Sequence, residues 1–227
     1  MPELPDITVY QRALRRLLTG QSPAAVRVRG VSLLRSVNPP VEAVEGRVLR
    51  AVGRLGTRLV LSFEGDLHLV LHLMLAGRLR WRPAGAASPP GNVQASLQFP
   101  AGTLFLTEAG SMKRATMHLV AGEAARRAHD PGGAEIDDLD SDAFIARLTA
   151  ENRTLKRRLT DPRVFSGIGN AYSDEILHAA RLSPLRLTQA LTREESVGLF
   201  EAARATLAEW TERLWEQTQR TKYAFPE

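Results

Sequence analysis

The sequence has no cysteine, only three lysines and no long apolar run. The absence of cysteine excludes disulfides, thiolate catalysis and any zinc site with cysteine ligands. A membrane-spanning helix needs about 18 apolar residues in succession, and no stretch meets that requirement. The acidic start from Met1 to Asp6 also lacks the apolar segment of a secretory signal peptide. We therefore expect a cytoplasmic protein without a membrane anchor.

Positive charge is unevenly distributed along the chain. Residues 1–129 hold 17 Lys and Arg against 8 Asp and Glu, whereas residues 130–227 hold 13 against 17. The first part therefore carries a net charge of +9 and the second a net charge of −4, which together give the overall +5. A basic segment beside an acidic one suggests that the first segment meets a polyanion.

Hydrophobic periodicity predicts an α+β protein, with an N-terminal helix and an antiparallel β-sandwich followed by an all-α domain. An apolar stripe that begins with Leu4 and Ile7 predicts a helix over residues 3–18. Short β-rich segments and glycine-containing turns then alternate up to about residue 120, as in a sandwich or barrel. After a first strand around Val26, the predicted strands are 47–54, 58–63, 67–73, 78–81, 93–99, 103–107 and 114–120.

A polar, glycine-containing segment separates the β-rich part from the helical part. We place an N-terminal domain at residues 1–125, a linker at 126–140 and a helical domain at 141–227. The predicted helices are 141–150, 152–160, 169–180 and 192–218, with Ser141 and Thr192 as N-caps of the first and last.

Two glycines one residue apart, in the run 167–170, precede the third of these helices. Glycine permits positive φ and close backbone approach, Asn170 suits an N-cap, and Asp174 and Glu175 suit the positive end of a helix. Backbone N–H groups at such a helix start can bind an anion such as phosphate. The pattern is compatible with a clamp on a nucleic-acid backbone and with an ordinary glycine-rich turn between two helices.

Three separated segments carry a more specific signal. They are the start Met1-Pro2-Glu3-Leu4-Pro5-Asp6, the run Leu71–Met74 with Ala76–Leu79 after it, and the run Asp161–Leu177 around the glycine turn. Together they resemble the formamidopyrimidine-DNA glycosylase/endonuclease VIII family, and the resemblance extends over residues 2–218. It implies a helix–two-turn–helix domain at 141–227 and a bacterial, nucleoid-associated monomer. The implied partner is double-stranded DNA with damaged bases or abasic sites.

The resemblance implies that Pro2 and Glu3 are catalytic in base-excision repair. Once Met1 is removed, Pro2 has a free secondary amine, and an α-amine has a pKa of roughly 7.7–8.0. Attack on C1′ of a damaged nucleotide would expel the base and leave a Schiff base, and β-elimination would then cut the strand. Glu3 would transfer protons. Without the resemblance, Pro2 is explained as a residue that favours the start of a helix, and Glu3 as an acidic residue stabilised by the positive end of the helix dipole.

The resemblance also implies where DNA is held. Lys156 and Asn170, with Gly167 and Gly169 of the turn, match positions that bind the phosphates flanking the lesion. His72 and Arg58 would add phosphate contacts on the sandwich side. The alternatives are a solvated helical cation for Lys156 and a core histidine for His72.

A base that leaves the stack leaves a gap, which family members fill with intercalating side chains. Leu75 is the candidate wedge in the turn after Leu73-Met74, and Met112 or Arg114 would complete it from the loop at residues 108–114. The alternative for Leu75 is a core residue of the turn.

Three departures separate this sequence from the family pattern. The usual hairpin lysine is Thr57 here, and Arg58 beside it should point the other way because strand side chains alternate faces. The usual Arg-Arg-Phe wedge loop is replaced by residues 112–115. The usual four-cysteine zinc finger has no ligands in this sequence, so we expect no zinc or other metal cofactor.

These departures leave alternatives to a full glycosylase-lyase. One is a binder of damaged or abasic DNA that is non-catalytic or has only the lyase activity, since the lyase step depends chiefly on the Pro2 amine. Another is an RNA-binding helix–two-turn–helix module, against which the N-terminal motif and the complete sandwich argue.

Overall fold

The computed structural model describes residues 1–226 and has an N-terminal helix, a β-sandwich and a helical domain. Helix α1 (Leu4–Leu18) precedes two antiparallel sheets of four strands each, with the orders β1-β6-β7-β5 and β2-β3-β4-β8. The strands are β1 (Ala25–Val28), β2 (Leu49–Leu55), β3 (Arg58–Phe63), β4 (Leu67–His72), β5 (Gly77–Pro83), β6 (Val93–Phe99), β7 (Gly102–Glu108) and β8 (Thr116–Ala121).

The helical domain is built on its own apolar core. Phe144, Phe165 and Phe200 lie at its centre, with ring centroids of neighbouring pairs 4.8 and 5.2 Å apart. The short helix α2 (Glu123–Arg127) precedes this domain. The helices of the domain are α3 (Ser141–Thr149), α4 (Leu155–Leu159), α5 (Asn170–Ala179) and α6 (Arg193–Gln219).

Helix α1 contributes to both cores and so fixes the N-terminus between the two domains. Leu4 packs in the helical core, whereas Ile7, Tyr10 and Leu14 pack in the sandwich core. Near the end of the chain Phe225 also enters the sandwich core, and its ring centroid lies 5.8 Å from that of Tyr10. The N-terminal residues are therefore held by packing from three directions.

Strand register brings several polar residues to one end of the sandwich. Arg58 of β3 lies opposite His72 of β4, and His72 lies opposite Thr116 of β8. In the other sheet Gly77 lies opposite Glu108, and the N–H of Gly77 donates to the carbonyl of Leu73 in the turn from β4 to β5. The turn at 73–76 and the loop at 109–115 consequently lie at the same end as Arg58 and His72.

The structure confirms the predicted fold class, including the N-terminal helix, the two antiparallel sheets and the later helices. The predicted linker contains the end of α2 and a short 3-10 turn at Ile136–Asp138. No helix within residues 1–226 is both long and apolar enough to cross a membrane.

Two predicted N-caps were wrong and one was confirmed. Asp140, not Ser141, caps α3 and accepts a hydrogen bond from the N–H of Ala143 at 2.8 Å. Gly169, not Asn170, is the N-cap of α5, so Asp174 and Glu175 lie beyond its first turn. Thr192 caps α6 as predicted, and its hydroxyl accepts from the N–H of Glu195 at 3.1 Å.

Candidate functional site

The N-terminus is attached to the glycine turn through the side chain of Glu3. Its Oε2 accepts from the N–H groups of Gly169 at 2.9 Å and Tyr172 at 3.0 Å, and its Oε1 accepts from the N–H of Ala171 at 3.0 Å. Glu3 is only 4% exposed. Three backbone donors at the positive end of α5 compensate the buried carboxylate, so this contact fixes the chain next to Pro2.

Both glycines of the turn are required by the close approach of Glu3 and Leu4. A Cβ on Gly169 would lie 2.4 Å from Cδ of Glu3. A Cβ on Gly167 would lie 2.8 Å from Cβ of Leu4, and Gly167 also has a φ of +77°. The N–H of Leu4 donates to the carbonyl of Gly167 at 2.8 Å. Close approach of α1 thus explains Gly167 and Gly169 without a phosphate, and their role in binding DNA stays a prediction.

Met1 borders two hollows on the surface, and Pro2 borders one of them. A cavity of about 250 Å³ lies beside Met1 and Pro2, with Tyr10 and Arg78 on one side and the end of α6 on the other. Burial raises the pKa of Tyr10 to about 12, with the nearby charges of Arg78 and Arg80 opposing the shift. Tyr10 is therefore a neutral hydroxyl near neutral pH.

The second hollow, which we call the interdomain cleft, measures about 590 Å³. The sandwich, the linker and the helical domain all contribute to its wall. It is lined by Met1, Gly56, Thr57, Arg58, His72, Ala128, His129, Asp130, Pro131, Thr160, Pro162, Gly167, Ile168, Gly169 and Asn170.

The two predicted sandwich-side residues, His72 and Arg58, lie in this cleft together with Thr57. Thr57 Oγ1 lies 3.3 Å from Nε2 of His72, and Arg58 lies opposite His72 across the strand pair. The prediction that Arg58 points away from Thr57 was wrong, because Thr57 belongs to the turn between β2 and β3 and strict alternation does not apply to it. Burial, with a smaller effect of Arg58, lowers the pKa of His72 to about 4.

Two of the three predicted wedge residues are prominently exposed apolar side chains. Leu75 is 58% exposed and Met112 is 66% exposed, which excludes a core role for Leu75. Arg114 is also exposed, and its guanidinium contacts the sulfur of Met112 at 3.9 Å. The loop at residues 109–115 is anchored by buried Glu108, whose carboxylate accepts hydrogen bonds from the N–H groups of Arg114 and Ala115. Insertion into DNA stays a prediction for all three.

Lys156 and Asn170 lie in different surroundings. The side chain of Asn170 is exposed and borders the interdomain cleft. Lys156 does not line the cleft; its Nζ forms an ion pair with Asp174. A phosphate contact by Lys156, which stays a prediction, would therefore have to compete with Asp174.

A link between the domains was not predicted from the sequence. Arg54 at the end of β2 forms an ion pair with Glu135, and its Nη1 lies 2.9 Å from Oε1 of Glu135. The hydroxyl of Ser166 donates to the same oxygen at 2.6 Å. Because Ser166 directly precedes Gly167, this cluster connects the sandwich to the glycine turn. The three residues are far apart in sequence, so no local pattern identifies them.

No group of three His, Asp or Glu side chains within the described part of the chain could hold a metal ion. The zinc finger that the resemblance implies has no ligands here, because the sequence contains no cysteine.

Comparison with known proteins identifies the family. Residues 1–168 match the formamidopyrimidine-DNA glycosylase N-terminal domain, and residues 129–220 match the H2TH domain of the same proteins. The formamidopyrimidine-DNA glycosylase of Thermus thermophilus is 34% identical over 218 residues, which cover 93% of this chain and 76% of that protein. The enzyme of that name from Heliobacterium modesticaldum is 32% identical, with coverage of 92% and 78%.

Solved structures share the same fold. The Lactococcus lactis enzyme bound non-covalently to DNA containing an AP site superposes with a TM-score of 0.83 at 21% identity, covering 92% of this chain and 82% of that one. A complex of the same enzyme with abasic-site DNA gives a TM-score of 0.84 at 21% identity, with coverage of 94% and 80%. The sequence matches and the fold agree, and the chain belongs to the formamidopyrimidine-DNA glycosylase family.

Proposed function

We propose that this chain is a base-excision repair enzyme, a DNA glycosylase that also cuts the strand at the abasic site through a Schiff base on Pro2. The observation that carries the proposal is the anchoring of Glu3 by three backbone N–H groups, which holds the adjacent Pro2 at the wall of the cavity of about 250 Å³. Relatives named formamidopyrimidine-DNA glycosylase, and related structures that contain abasic-site DNA, support the substrate class.

Removal of Met1 is the first requirement of this reaction. Met1 is 47% exposed and therefore accessible for removal, whereas Pro2 beneath it is buried. Removal would convert an amide nitrogen into a secondary amine that is partly unprotonated near neutral pH. The amine attacks C1′, the bond from C1′ to the base breaks, and the departing base takes the electron pair and a proton. The amine nitrogen then loses its proton and the bond from C1′ to the ring oxygen breaks, with that oxygen taking the electron pair and a proton, which leaves the iminium (Schiff base). The iminium makes C2′–H acidic, and loss of this proton breaks the bond from C3′ to its phosphate oxygen, which leaves with the electron pair.

Glu3 combines the two properties that this chemistry needs. Its carboxyl group is able to exchange a proton with the sugar, and the three backbone N–H donors, two on Oε2 and one on Oε1, hold the side chain in place. We therefore assign Glu3 both proton transfer and the positioning of Pro2.

The DNA would lie across the end of the sandwich and the start of α5. Arg58, His72 and Asn170 border the interdomain cleft. Lys156 would bind a neighbouring phosphate once its ion pair with Asp174 is broken. Leu75, Met112 and Arg114 are exposed at the sandwich end that Arg58 shares, so they would enter the gap left by the extruded base. Arginine and lysine contacts to phosphate supply affinity, and the inserted side chains stabilise the extruded state.

Borohydride trapping tests the proposed chemistry. The intact mass of the natural protein would be measured first, because it shows whether Met1 has been removed. The protein would then be incubated with duplex DNA containing an abasic site and reduced with borohydride. We expect a covalent protein–DNA adduct and strand cleavage, and expect both to be lost in Pro2→Gly. DNA binding without adduct or cleavage would refute the lyase.

A second substrate separates the two activities. Duplexes with an oxidised purine or a formamidopyrimidine base test excision, and a preformed abasic site tests the lyase alone. Cleavage of the abasic duplex without release of any damaged base would identify the chain as a lyase only. Thr57 makes this comparison informative, because its hydroxyl contacts His72 and supplies no positive charge to the cleft.

A further inference from the structure

The interdomain cleft contains a cation without an ionic partner. Arg58 is half-buried, and within residues 1–226 its guanidinium makes neither a hydrogen bond nor an ion pair. Burial lowers the pKa of Arg58, and the charge of Asp130 only partly opposes this. A partly buried cation without a partner is unfavourable. An anion that enters the cleft would remove this cost.

Two histidines lie close to this arginine. The rings of His118 on β8 and His129 after α2 have centroids 4.6 Å apart and are tilted by 52°. Burial lowers the pKa of both, and the charge of Arg58 lowers both further; His129 and Arg35 also act on His118. Both rings are therefore neutral near neutral pH, where each still has one N–H to donate.

The charged groups around this pair favour an anion over a cation. Arg35 and Arg58 act on the pair, and His72 from β4 and Asp130 from the linker line the same cleft as His129. The Oδ1 atom of Asp130 already accepts from the N–H of Gly132 at 2.9 Å. Arg126 forms an ion pair with Glu123, and Asp66 contacts His68.

We propose that Arg58 and His129 bind one phosphodiester of the DNA strand in the interdomain cleft, with His72 beside them, and that the His118–His129 pair takes up a proton when this phosphate binds. The identity of the anion rests on the proposed function. The site would supply the charge that is absent at Thr57, from the neighbouring residue and from the linker. The phosphate cancels the repulsion that disfavours an imidazolium beside Arg58, so binding and protonation favour each other.

DNA affinity as a function of pH tests this coupling. The full chain would be titrated at constant ionic strength into a fluorescent duplex containing a stable abasic-site analogue. We expect the Kd to fall about tenfold between about pH 7.5 and 5.5 as the complex takes up a proton. His129→Asn should flatten this dependence. His178→Asn is the matched control, because exposed His178 lies in the last turn of α5, outside the cleft.

Salt dependence tests the arginine separately. Arg58→Gln should weaken binding about tenfold at low salt, lower the slope of log K against log salt by about one, and flatten the pH dependence. An unchanged salt slope in Arg58→Gln, or equal pH profiles for wild type and His129→Asn, would overturn the site.

Inorganic phosphate distinguishes failure of this inference from failure of the proposed function. The ring-proton shifts of His129 would be followed by NMR against pH, with and without phosphate. If the wild type binds no DNA at any pH, the proposed function is wrong. A phosphate-induced rise in the pKa of His129 in wild type but not in Arg58→Gln would still support the anion site. No response to either anion would refute the site.

Discussion

The ammonium group of Lys156 donates to both carboxylate oxygens of Asp174, each at 2.7 Å, across the packed helices α4 and α5. The two side chains are 35% and 57% exposed, so water and salt screen the pair. The cation that the sequence assigns to a DNA phosphate is thus already paired, but weakly enough for a phosphate to replace the carboxylate. If Lys156 binds a phosphate, Asp174 must oppose DNA binding, and this effect can be measured.

Asp174→Asn should therefore tighten binding to abasic-site DNA. An exposed ion pair is worth about 0.2–1 kcal/mol, which limits the gain to about fivefold, with little change in stability. Fluorescence anisotropy with a labelled duplex measures the affinity. Glu175→Gln removes the same charge from the next residue of α5 without removing Lys156's partner, and it should have a smaller effect.

A double-mutant cycle checks that the gain passes through Lys156. Lys156→Ala alone should weaken binding and reduce the salt slope by about one. In that background Asp174→Asn should add little, since there is no ammonium left to release. An equal gain with and without Lys156 would show that Asp174 acts only through general charge repulsion.

Gly169→Ala should damage both stability and catalysis. The new Cβ would lie 2.4 Å from Cδ of Glu3 and would displace the carboxylate from its three N–H donors. We expect a loss of at least about 2 kcal/mol in the free energy of unfolding, from overpacking and the lost hydrogen bonds. Urea denaturation measures the first effect and borohydride trapping the second.

The matched control is another glycine of the helical domain. Gly198 is exposed on α6, and a Cβ there would meet no atom within 4 Å. Gly198→Ala should stabilise the protein by about 0.5–1 kcal/mol, because alanine is the better helix former. If Gly169→Ala were as well tolerated, the close approach of Glu3 to the turn would not be important.

The sequence predicts local features well and contacts between distant segments poorly. The strands Arg58–Phe63 and Val93–Phe99 were predicted to the residue, because apolar alternation and turn glycines act locally. The glycine turn was predicted to bind an anion, and the anion bound in the structure is the carboxylate of Glu3, which lies 166 residues away from Gly169. Periodicity carries no information about such a partner.

The same limit applies to the two charged clusters of the site. Arg54 and Glu135 are separated by 81 residues, and His129 approaches His118 and Arg58 only because the linker folds against the sandwich. Composition showed that the first 129 residues are basic, but it could not show which arginines are neutralised within the protein and which remain for DNA.

Arg54→Met should loosen the connection between the domains. The side chains of Arg54 and Glu135 are only 18% and 33% exposed, so the change leaves a carboxylate partly buried without its partner. We expect a loss of about 2–3 kcal/mol, somewhat below the cost for fully buried pairs. Glu64→Gln breaks the Arg50–Glu64 pair, whose side chains are 64% and 39% exposed, and should cost much less than Arg54→Met because water screens this pair. Equal costs in urea denaturation would refute a special role for Arg54.

Leu75→Ala and Met112→Ala should separate base excision from stability. Because both side chains are largely exposed, each change should alter the free energy of unfolding by less than about 0.5 kcal/mol. If they fill the gap in the stack, excision of a damaged base should slow by about tenfold, since unstacking costs a few kcal/mol. Val37→Ala, at a side chain that is 91% exposed, is the control and should leave excision unchanged. Single-turnover base release measures all three.

His72→Gln should flatten the dependence of stability on pH. In the folded protein the pKa of His72 is about 4, against about 6.5 in the unfolded chain. Between these values the unfolded state binds the extra proton, so the stability present above about pH 6.5 is lost as the pH falls towards about 4. The loss attributable to His72 is on the order of 2 kcal/mol, and glutamine keeps a polar group near Thr57. Urea unfolding across this range should show a shallower slope for His72→Gln and an unchanged slope for His178→Gln; equal slopes for wild type and His72→Gln would contradict the depressed pKa.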